Sequence, residues 1–421
     1  MSAKASLGMT VIQKYMSNIK KIVVALVVIA LAWVGVFYYR NLRGAGSALL
    51  PPDSDITQTL TSTPPTTAKP IDNGPLTLPD GFAISVLAKK LPGARVLAMD
   101  SMGNLWVSQP SKGQITLVEM QNGQAIKQTA ILKNLRNPHG LAFDPADPYT
   151  LYFAEETKIS KVRVYSEDTP HKIADLPPKK GLHFTRTIQF GADGRLYVSI
   201  GSDCNVCEPS NEKYASMWSM NKDGSDFKQV AKGLRNSVFF VWNEKDNNIW
   251  ATDMGRDLLG DALPPDEINI INPRASEVEN FGWPICYGKN IHDTNFDKKT
   301  YIRNPCMEPF EQPSFIDIPA HSAPLGLAFI PANSGWPQEY VGDLLVAMHG
   351  SWNSTVPVGY KVVRYDLSED GNMIGQYDFI SGWIKGKKVS GRPVDLVFGK
   401  NGELYVSDDK AGVIYVVKYV K

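Results

Sequence analysis

The sequence has no excess of either charge: its 421 residues carry 44 lysines and arginines against 43 aspartates and glutamates, a formal net charge of +1. Binding to nucleic acid requires a concentrated basic face, so we exclude nucleic acid as a partner. The chain also has little long-period helical pattern after residue 40. Its 34 glycines, 29 prolines and 17 tyrosines supply turns and strand-forming aromatics instead. This composition favours an all-β fold built from many short strands.

Cysteine is scarce, and the four in the chain all follow residue 200. In an oxidising compartment an even count favours two disulfides, most simply Cys204 with Cys207 and Cys286 with Cys306. A zinc site is the weaker alternative, because no second Cys-x-x-Cys or His pair has ligand spacing. A covalent c-type haem is excluded, since Glu208 follows Cys207 where the attachment motif requires His.

An uncharged apolar run extends from Ile22 to Tyr39 near the N-terminus. About 18 residues at a rise of about 1.5 Å just cross a hydrocarbon core of about 30 Å. Four lysines precede the run and only Arg40 and Arg43 closely follow it, which predicts a cytoplasmic N-terminus and an extracytoplasmic remainder. The run is longer than a usual signal-peptide core, so we expect an uncleaved single-pass anchor in the inner (cytoplasmic) membrane. A cleaved signal peptide is the alternative, with weak cleavage candidates at Ala45 to Ala48.

Composition divides the chain into three parts. Residues 1–43 are the expected cytoplasmic tip and transmembrane anchor. Residues 44–75 are predicted to be a flexible linker, because prolines among Ser, Thr and Asp cannot bury a core. Residues 76–421 are expected to fold as one periplasmic domain, with an insertion at about 270–321.

The exported part contains six similar copies of one pattern. Each copy has an aliphatic strand, a turn with Asp, Asn or Gly, and a second strand rich in aromatic and β-branched residues. Most copies lie about 45 to 60 residues apart, near the length of one four-stranded propeller blade, and the wide gap after the fourth copy holds the insertion. This spacing predicts a six-bladed β-propeller. The copies occupy residues 96–108, 140–154, 187–199, 237–252, 326–347 and 395–407.

Polar residues recur at two positions of these copies, just before the first strand and just after the second. Because radial repetition places equivalent positions around one channel, we expect these side chains to converge on one face. A single His or Arg beside a strand is more often capped or solvated than catalytic, and that alternative stays open for His139, His321 and Asp408. The upstream residues are His139, His183, Arg186, Arg235, Asn236, His321 and Arg392, and the downstream ones are Asp203, Asp253, His349 and Asp408.

An acidic loop, Asp253 to Asn269, follows the apolar strand of the fourth copy. Its five carboxylates stand among glycines and prolines, and hard cations need oxygen ligands held in that way. The alternative is a solvated connection, which is what most Asp/Gly/Pro-rich loops are. The loop alone leaves a calcium site and a solvated turn both open.

Six motifs in chain order resemble those of the soluble quinoprotein aldose dehydrogenases. The similarity covers about Leu78 to Tyr419, and residues 204–208 and 349–353 are most similar to the L-sorbosone dehydrogenase branch. The motifs are Gly181-Leu-His-Phe-Thr-Arg186, Gly233-Leu-Arg-Asn236, Asp266-Glu-Ile-Asn269, Asn280-Phe-Gly-Trp-Pro284, His349-Gly-Ser-Trp-Asn353 and Gly391-Arg-Pro-Val-Asp395.

The resemblance implies a six-bladed propeller with pyrroloquinoline quinone (PQQ) and calcium on its top face. It implies oxidation of a sugar or sugar-derived aldehyde, aldose or L-sorbosone-like, by hydride transfer to the quinone with His183 as general base. Imidazole suits that task near neutral pH. Arg235 and Asn236 match cofactor-contacting residues, with Arg235 stabilising the quinone oxygen as it gains charge. Electrons are then expected to pass to an external quinone or cytochrome.

The resemblance also implies a calcium site and a cofactor grip. Gly255 and Arg256 match positions whose backbone carbonyls hold calcium, which moves the expected ligands from the carboxylates to these two carbonyls. Arg392 matches one of two arginines that grip the cofactor, and the second position is Val394 here. His349 stands where the glucose-oxidising branch has Lys, and it is expected to contact the cofactor. These two departures concern cofactor affinity and substrate choice.

Two other functions are compatible with such a propeller, because fold does not determine function. A calcium-dependent, lactonase-type hydrolase would need direct carboxylate ligation from Asp253 or Asp257 and no quinone. A non-enzymatic binding propeller would tolerate replacement of the channel residues one at a time. The donors Arg235, Asn236 and Arg392 favour the dehydrogenase, since a hydrolase has no large anionic cofactor to hold.

Overall fold

The computed structural model describes residues 2–49, 74–178, 181, 183–309 and 311–420, and its folded part is a ring of six β-sheets. Each sheet has four antiparallel strands, and the third carries an additional fifth strand. The first strand of the ring, β1 (Phe82–Ala88), is the outermost strand of the last sheet. This arrangement confirms the predicted all-β, six-bladed propeller.

The blades are numbered in chain order, and their strands run from the channel outward. Blade 1 holds β2 (Leu97–Met99), β3 (Leu105–Gln109), β4 (Gln114–Gln121) and β5 (Gln124–Leu132). Blade 2 holds β6 (Leu141–Phe143), β7 (Thr150–Ala154), β8 (Lys158–Arg163) and β9 (His171–Asp175). Blade 3 holds β10 (Ile188–Phe190), β11 (Leu196–Ile200), β12 (Ser216–Met220) and β13 (Lys228–Lys232).

The second half of the ring follows the same plan. Blade 4 holds β14 (Phe240–Asn243), β15 (Asn248–Asp253), β16 (Asp266–Ile271) and, after β17 (Glu279–Asn280), β18 (Cys286–Tyr287) and β19 (Ile291–His292), the outer strand β20 (Ile316–Ile318). Blade 5 holds β21 (Pro324–Phe329), β22 (Leu344–Met348), β23 (Lys361–Leu367) and β24 (Met373–Ile380). After the hairpin of β25 (Ile384–Lys385) and β26 (Lys388–Val389), blade 6 holds β27 (Pro393–Phe398), β28 (Leu404–Asp408) and β29 (Val413–Tyr419), completed by β1.

The six sequence repeats correspond to the two innermost strands of each blade. In blade 1, Leu97 lies opposite Val107, and in blade 3, Ile188 lies opposite Val198. The second strands of blades 1, 3, 5 and 6 are buried along their whole length, because each blade packs between two neighbours. Burial on both faces explains why each of these strands begins with consecutive apolar residues rather than an alternation.

The ring closes between the first and last strands. β1 pairs antiparallel with β29, with Phe82 opposite Tyr419 and Val86 opposite Tyr415. The ring of Phe82 also packs edge-on against Trp336 of blade 5, with centroids 4.7 Å apart. Closure leaves the propeller without an open gap between its first and last blades.

Two helices precede the propeller. α1 (Ser2–Phe37) continues into a π-helical turn at Tyr38–Leu42, and the short α2 (Gly46–Leu49) follows. Among the described residues, one helical stretch is long and apolar enough to cross a membrane, Asn18–Leu42, with mean hydropathy 2.6. A signal sequence near the N-terminus passes the same test.

The start of the predicted linker, residues 44–75, is not free of the propeller. Gly44 donates its N–H to the carbonyl oxygen of Ser354 at 2.8 Å, and Ala45 is buried. A side chain at Gly44 would place its Cβ 2.2 Å from that oxygen, so glycine permits this approach. The chain therefore contacts the propeller at the first residues of the predicted linker, and residues 50–73 lie outside the described part of the chain.

Blade 4 carries a long excursion. Between β16 and β20 the chain runs through residues 272–315, which fall inside the range of about 270–321 expected from the sequence. Within it, β17 joins blade 3 beside β13, and β18 pairs with β19 in a short hairpin. The excursion therefore ties blade 4 to blade 3 on the side of the fold that carries the acidic loop.

Both predicted disulfides are present. Cys204 is bonded to Cys207 in the loop after β11, and Cys286 is bonded to Cys306 within the excursion of blade 4. These bonds use all four cysteines of the chain. The zinc alternative is excluded, because disulfide sulfurs are not available as thiolate ligands.

Candidate active site

His183 lies just before blade 3, and backbone of the same blade orients its ring. Its Nδ1 is 2.9 Å from both the carbonyl oxygen and the Oγ of Ser202. Because a carbonyl oxygen can only accept, Nδ1 carries the proton and Nε2 keeps the lone pair. The Ser202 hydroxyl itself donates to the carbonyl of Cys204 at 2.7 Å. Burial, and then the charge of Arg235, lowers the pKa of His183 to about 3, so the ring is neutral at neutral pH.

Arg235 is buried beside this histidine, and its guanidinium is held by three residues of the surrounding loops. Nε and Nη2 donate to the carbonyl and Oδ1 of Asn205 at 2.9 and 2.8 Å, and Nη1 donates to the carbonyl of Met254 at 3.1 Å. Nη2 also lies 3.1 Å from Asp257. The Arg235 carbonyl accepts the N–H of Ser202 at 2.7 Å, which links blades 3 and 4 directly behind His183.

Asn236 follows with one end of its amide unpaired. Its backbone N–H donates to Asp253 at 2.6 Å, and its Nδ2 faces the sulfur of Met254 at 3.6 Å. Its Oδ1 is buried and has no hydrogen-bond partner within the described residues. A Cβ on Gly201 would come within 2.5 Å of that atom, so glycine is needed there. Leaving a buried polar atom unpaired costs about 1–3 kcal/mol, a cost that a bound ligand donor would remove.

Carboxylates of the acidic stretch from Asp253 to Asn269, whose two ends lie in β15 and β16, hold neighbouring loops in place. Asp266 accepts the N–H groups of Gly255 and Ala323, each at 2.9 Å, and so ties blade 4 to blade 5. Asp261 accepts the N–H of Thr355 at 2.9 Å. Burial raises the pKa of Asp266 to about 7. Among the described residues, no carboxylate of this loop belongs to a group of three His, Cys, Asp or Glu ligand atoms within 4.8 Å of one another.

Gly255 and Arg256 present backbone oxygens in this same loop. Within the described part of the chain, neither carbonyl oxygen accepts a hydrogen bond. A Cβ on Gly255 would lie 2.7 Å from the Pro265 oxygen, so this turn requires glycine. The Arg256 side chain points to the excursion of blade 4, where Nη1 donates to Asp293 at 2.7 Å. Two successive carbonyls without protein donors are suitable ligands for a hard cation.

His349 joins blades 5, 6 and 1 through one aspartate. Its Nε2 is 2.9 Å from Asp409, whose other oxygen accepts from Arg95 at 2.8 Å. Arg392 donates from Nε to the carbonyl of His349 at 2.8 Å and from Nη2 to that of Gly350. Burial, and then the charge of Arg392, lowers the pKa of His349 to about 4, so its contact with Asp409 at neutral pH is an N–H···O bond. Burial alone would raise the pKa of Asp409, but its hydrogen bond with His349 and the arginine charges hold it well below its usual range.

Three residues that hold the site together were not predicted from the sequence. Arg95 stands immediately before the first repeat, in the stretch just before an inner strand where Arg392 stands near the sixth, so the repeats contained a signal. Its Nε is buried and unpaired among the described residues. Asp409 carries no comparable signal. Asn353, which donates to Asp257 at 2.8 Å and so links blade 5 to blade 4, lies in a loop whose path the sequence does not indicate.

Three of the residues at the two recurring positions of the sequence repeats stabilise the fold. His139 is fully buried, with Nδ1 3.3 Å from the hydroxyl of Thr187. His321 donates from Nε2 to the carbonyl of Gly260, 2.7 Å away. Asp408 accepts three backbone N–H groups, including that of Arg392 at 2.9 Å. The structural alternative left open for these residues accounts for their contacts.

A cavity lies at the opposite end of the channel. Its volume is 550 Å³, and its lining is mostly apolar, with Leu97, Phe239 and Phe329 among the inner-strand residues. It extends to the turn at residues 243–245, at the end of β14 remote from Arg235. None of the predicted site residues lines it. The polar residues above therefore form a separate cluster at the other mouth.

A family described as TrAA12-like matches residues 76–420. The chain is 34% identical over 364 residues to an uncharacterized protein of Borreliella burgdorferi, covering 82% of this chain and 91% of that protein. It is 23% identical over 409 residues to the pyrroloquinoline quinone-dependent pyranose dehydrogenase of Coprinopsis cinerea. That alignment covers 80% of this chain and 54% of the relative, so the chain spans about half its length.

A calcium structure of the Trichoderma reesei carbohydrate-active enzyme of family AA12 is similar in fold. It superposes with a TM-score of 0.70 at 20% sequence identity, over 84% of this chain and 99% of that one. At this identity the likeness concerns the fold.

Proposed function

The chain belongs to the TrAA12-like family, and we propose that it oxidises a sugar or sugar-derived aldehyde by hydride transfer to PQQ, with calcium bound beside the cofactor. Family membership makes it an oxidoreductase, and the Coprinopsis cinerea relative is PQQ-dependent and acts on a pyranose. The single observation that carries the proposal is the neutral, oriented imidazole of His183 next to a cluster of buried arginines.

His183 is the proposed general base. With Nδ1 donating to the Ser202 carbonyl, the lone pair on Nε2 is free to take the proton of a substrate hydroxyl. A pKa of about 3 makes the ring a weak base on its own. The largest lowering effects are burial and the charge of Arg235, and an anion bound nearby opposes the second. A bound tricarboxylate therefore raises the pKa of His183 part of the way back toward its ordinary value.

The residues proposed to hold the cofactor are Arg235, Asn236, His349 and Arg392. Arg392 has a free Nη1 within the described residues, and Asn236 has an unpaired amide oxygen. Arginine donors suit the carboxylate rim of such a cofactor. Arg235 is proposed to stabilise negative charge as it develops on the quinone oxygen. When bound, PQQ would supply the two-electron acceptor, and calcium would supply Lewis acidity.

The proposed calcium ligands are the backbone carbonyls of Gly255 and Arg256. Their freedom from protein donors supports this choice, and so does the absence of a carboxylate cluster in the described part of this loop. The same absence counts against a calcium-dependent hydrolase, which would need direct ligation from Asp253 or Asp257. Those carboxylates instead accept hydrogen bonds from Asn236 and from Arg235.

We further propose that Asn18–Leu42 is an uncleaved anchor in the cytoplasmic membrane and that the propeller lies on its periplasmic side. The length and hydropathy of this helix support a span. The electron acceptor is then an external quinone or cytochrome. The substrate is an aldose or an L-sorbosone-like aldehyde, and His349 in place of lysine favours a choice other than glucose.

Reconstitution tests the proposed reaction. The chain is purified in detergent without cofactor, and dye reduction is followed with a panel of aldoses and ketoaldehydes. Activity is expected with PQQ and calcium together, and not with PQQ plus a chelator or with calcium alone. Lack of dye reduction across the panel, with PQQ binding verified by its absorbance, would contradict the proposal.

A further inference from the structure

The segment that follows the apolar helix is docked on the mouth of the propeller that carries the candidate site. Gly44 donates to the carbonyl of Ser354 at 2.8 Å, and Arg43 donates to the carbonyl of Thr355 at 3.5 Å. Lys410 of blade 6 donates to the carbonyl of Ala48 at 3.3 Å. The contacts come from two blades, so they fix the direction of residues 43–48 across this mouth as well as their point of attachment.

The receiving loops are those that build the site. Ser354 follows Asn353, whose amide reaches Asp257 at 2.8 Å, and Lys410 follows Asp409, the partner of His349. The end of the helix therefore lies beside the site mouth and not beside the cavity at the far end of the channel.

We propose that the rim around this mouth rests on the lipid surface, so that the site opens toward the bilayer. The candidate span ends at Leu42, and Gly44 bonds to the rim two residues later. Two residues reach at most about 7 Å. The headgroup layer on each side of the hydrocarbon core is about 5–8 Å thick. If the helix spans the membrane, Ser354 is thereby held at headgroup depth.

The rim is apolar where this placement requires it. Val356, Leu263 and Leu258 are 62%, 42% and 41% exposed, and Trp352 is 38% exposed. These side chains belong to two loops joined by the bond between Thr355 and Asp261. Single exposed apolar residues are ordinary, but a group beside the end of an apolar helix marks a membrane contact. Tryptophan also suits the interface, where one edge of its ring stays wet.

The inference goes beyond the proposed reaction. It rests on the proposed anchor, and its consequence is that substrate and electron acceptor approach along the membrane surface. The test is therefore chosen to read position and not turnover, so that loss of the proposed activity and loss of this placement give different results.

Depth-dependent quenching measures that position in the full chain reconstituted into phosphatidylcholine–phosphatidylglycerol vesicles. All four native cysteines are in disulfides, so single labels can be placed by Val356→Cys and by Ile374→Cys. Ile374 is 67% exposed at the start of β24, at the opposite end of blade 5. Acyl-brominated lipids should quench the label at Val356 at least several-fold more than the label at Ile374.

A second variant tests the apolar rim itself. In vesicles, Val356→Glu with Leu263→Glu should expose a label placed by Thr355→Cys to aqueous iodide. In detergent, the same double variant should leave dye reduction unchanged. Equal lipid quenching at the two ends of blade 5 would overturn the proposal. So would a mature chain whose N-terminus, read by mass spectrometry, begins after Leu42.

Discussion

The Nδ1 of His183 lies 2.9 Å from the carbonyl oxygen of Ser202, so a backbone group selects the tautomer of the proposed base. Many histidine bases are oriented by a carboxylate, which also stabilises the imidazolium. A neutral carbonyl orients the ring without adding a full negative charge beside it. The pKa of His183 therefore depends on the charge of the group that binds next to it.

The acid side of the pH–rate profile follows from this arrangement. Burial and the charge of Arg235 lower the pKa of His183 to about 3, and a bound anion raises it only part of the way back. We expect kcat/KM of the loaded enzyme to stay flat as pH falls through 6.5 and to decline at lower pH. Steady-state kinetics between pH 4 and 8, with thermal unfolding followed in parallel, measures this. A decline centred at or above pH 6.5 would disagree with the shift.

Asp409 should matter for stability in the absence of cofactor. It is the shared acceptor of Arg95 and His349, so Asp409→Asn leaves Arg95 and the nearby Arg392 without their counter-charge. Removing one partner of a buried pair costs roughly 3 kcal/mol. PQQ, an anion, should then raise the Tm of the variant more than that of the wild type in thermal unfolding.

The matched control is an exposed pair elsewhere in the propeller. Lys127 and Glu119 are 2.9 Å apart with the lysine 64% exposed, and Glu119→Gln should cost no more than about 1 kcal/mol. Equal losses for Asp409→Asn and Glu119→Gln, or no added response to PQQ, would show that Asp409 does not balance the arginine cluster.

Calcium affinity should depend weakly on the loop carboxylates. If the carbonyls of Gly255 and Arg256 hold the ion, Asp257→Asn changes only groups around the ligands, and the Kd should rise by about tenfold. Calcium titration of chelator-treated, PQQ-loaded protein gives the value. Asp261→Asn is the comparison, since Asp261 bonds Thr355 at the rim. Complete loss of calcium binding in either variant would point to direct carboxylate ligation.

Glu311 should make stability depend on pH. It is 3% exposed, and burial followed by the charge of Glu267 raises its pKa to about 8. The native state thus favours the protonated carboxyl, and the stability it contributes is lost as pH rises from about 4.5 to 8. Glu311→Gln keeps the neutral form, so the Tm of the variant should increase relative to that of the wild type as pH rises across this interval. A Tm difference that is constant from pH 5 to 9 would contradict the assignment.

The fold was predictable because it repeats. Six copies of an apolar strand, a turn and a second apolar strand carry the same signal in sequence, and each copy is the inner pair of a blade. The pairing of Cys204 with Cys207 and of Cys286 with Cys306 followed from an even count and short separations. The docking of Gly44 on Ser354 was not predictable, because small residues that permit close packing have the same composition as a flexible linker.

The site residues were predictable where they occupy the recurring positions of the sequence repeats. His183, Arg235 and Arg392 stand before inner strands, so the ring brings them to one mouth. The bonds from His349 to Asp409 and from Asn353 to Asp257 depend on how loops of adjacent blades meet. The twist of the sheets and the packing between them determine which loops come into contact, and no local sequence pattern predicts these contacts.

The turnover of a loaded His183→Ala enzyme tests the central claim most directly. The variant and the wild type are saturated with PQQ and calcium, loading is verified by the absorbance of the bound quinone, and kcat is measured with the best aldose or aldehyde substrate. Removal of the general base should lower kcat by about 10²–10⁴-fold at unchanged PQQ stoichiometry. A fully loaded variant whose kcat stays within about threefold of the wild type would contradict the role assigned to His183.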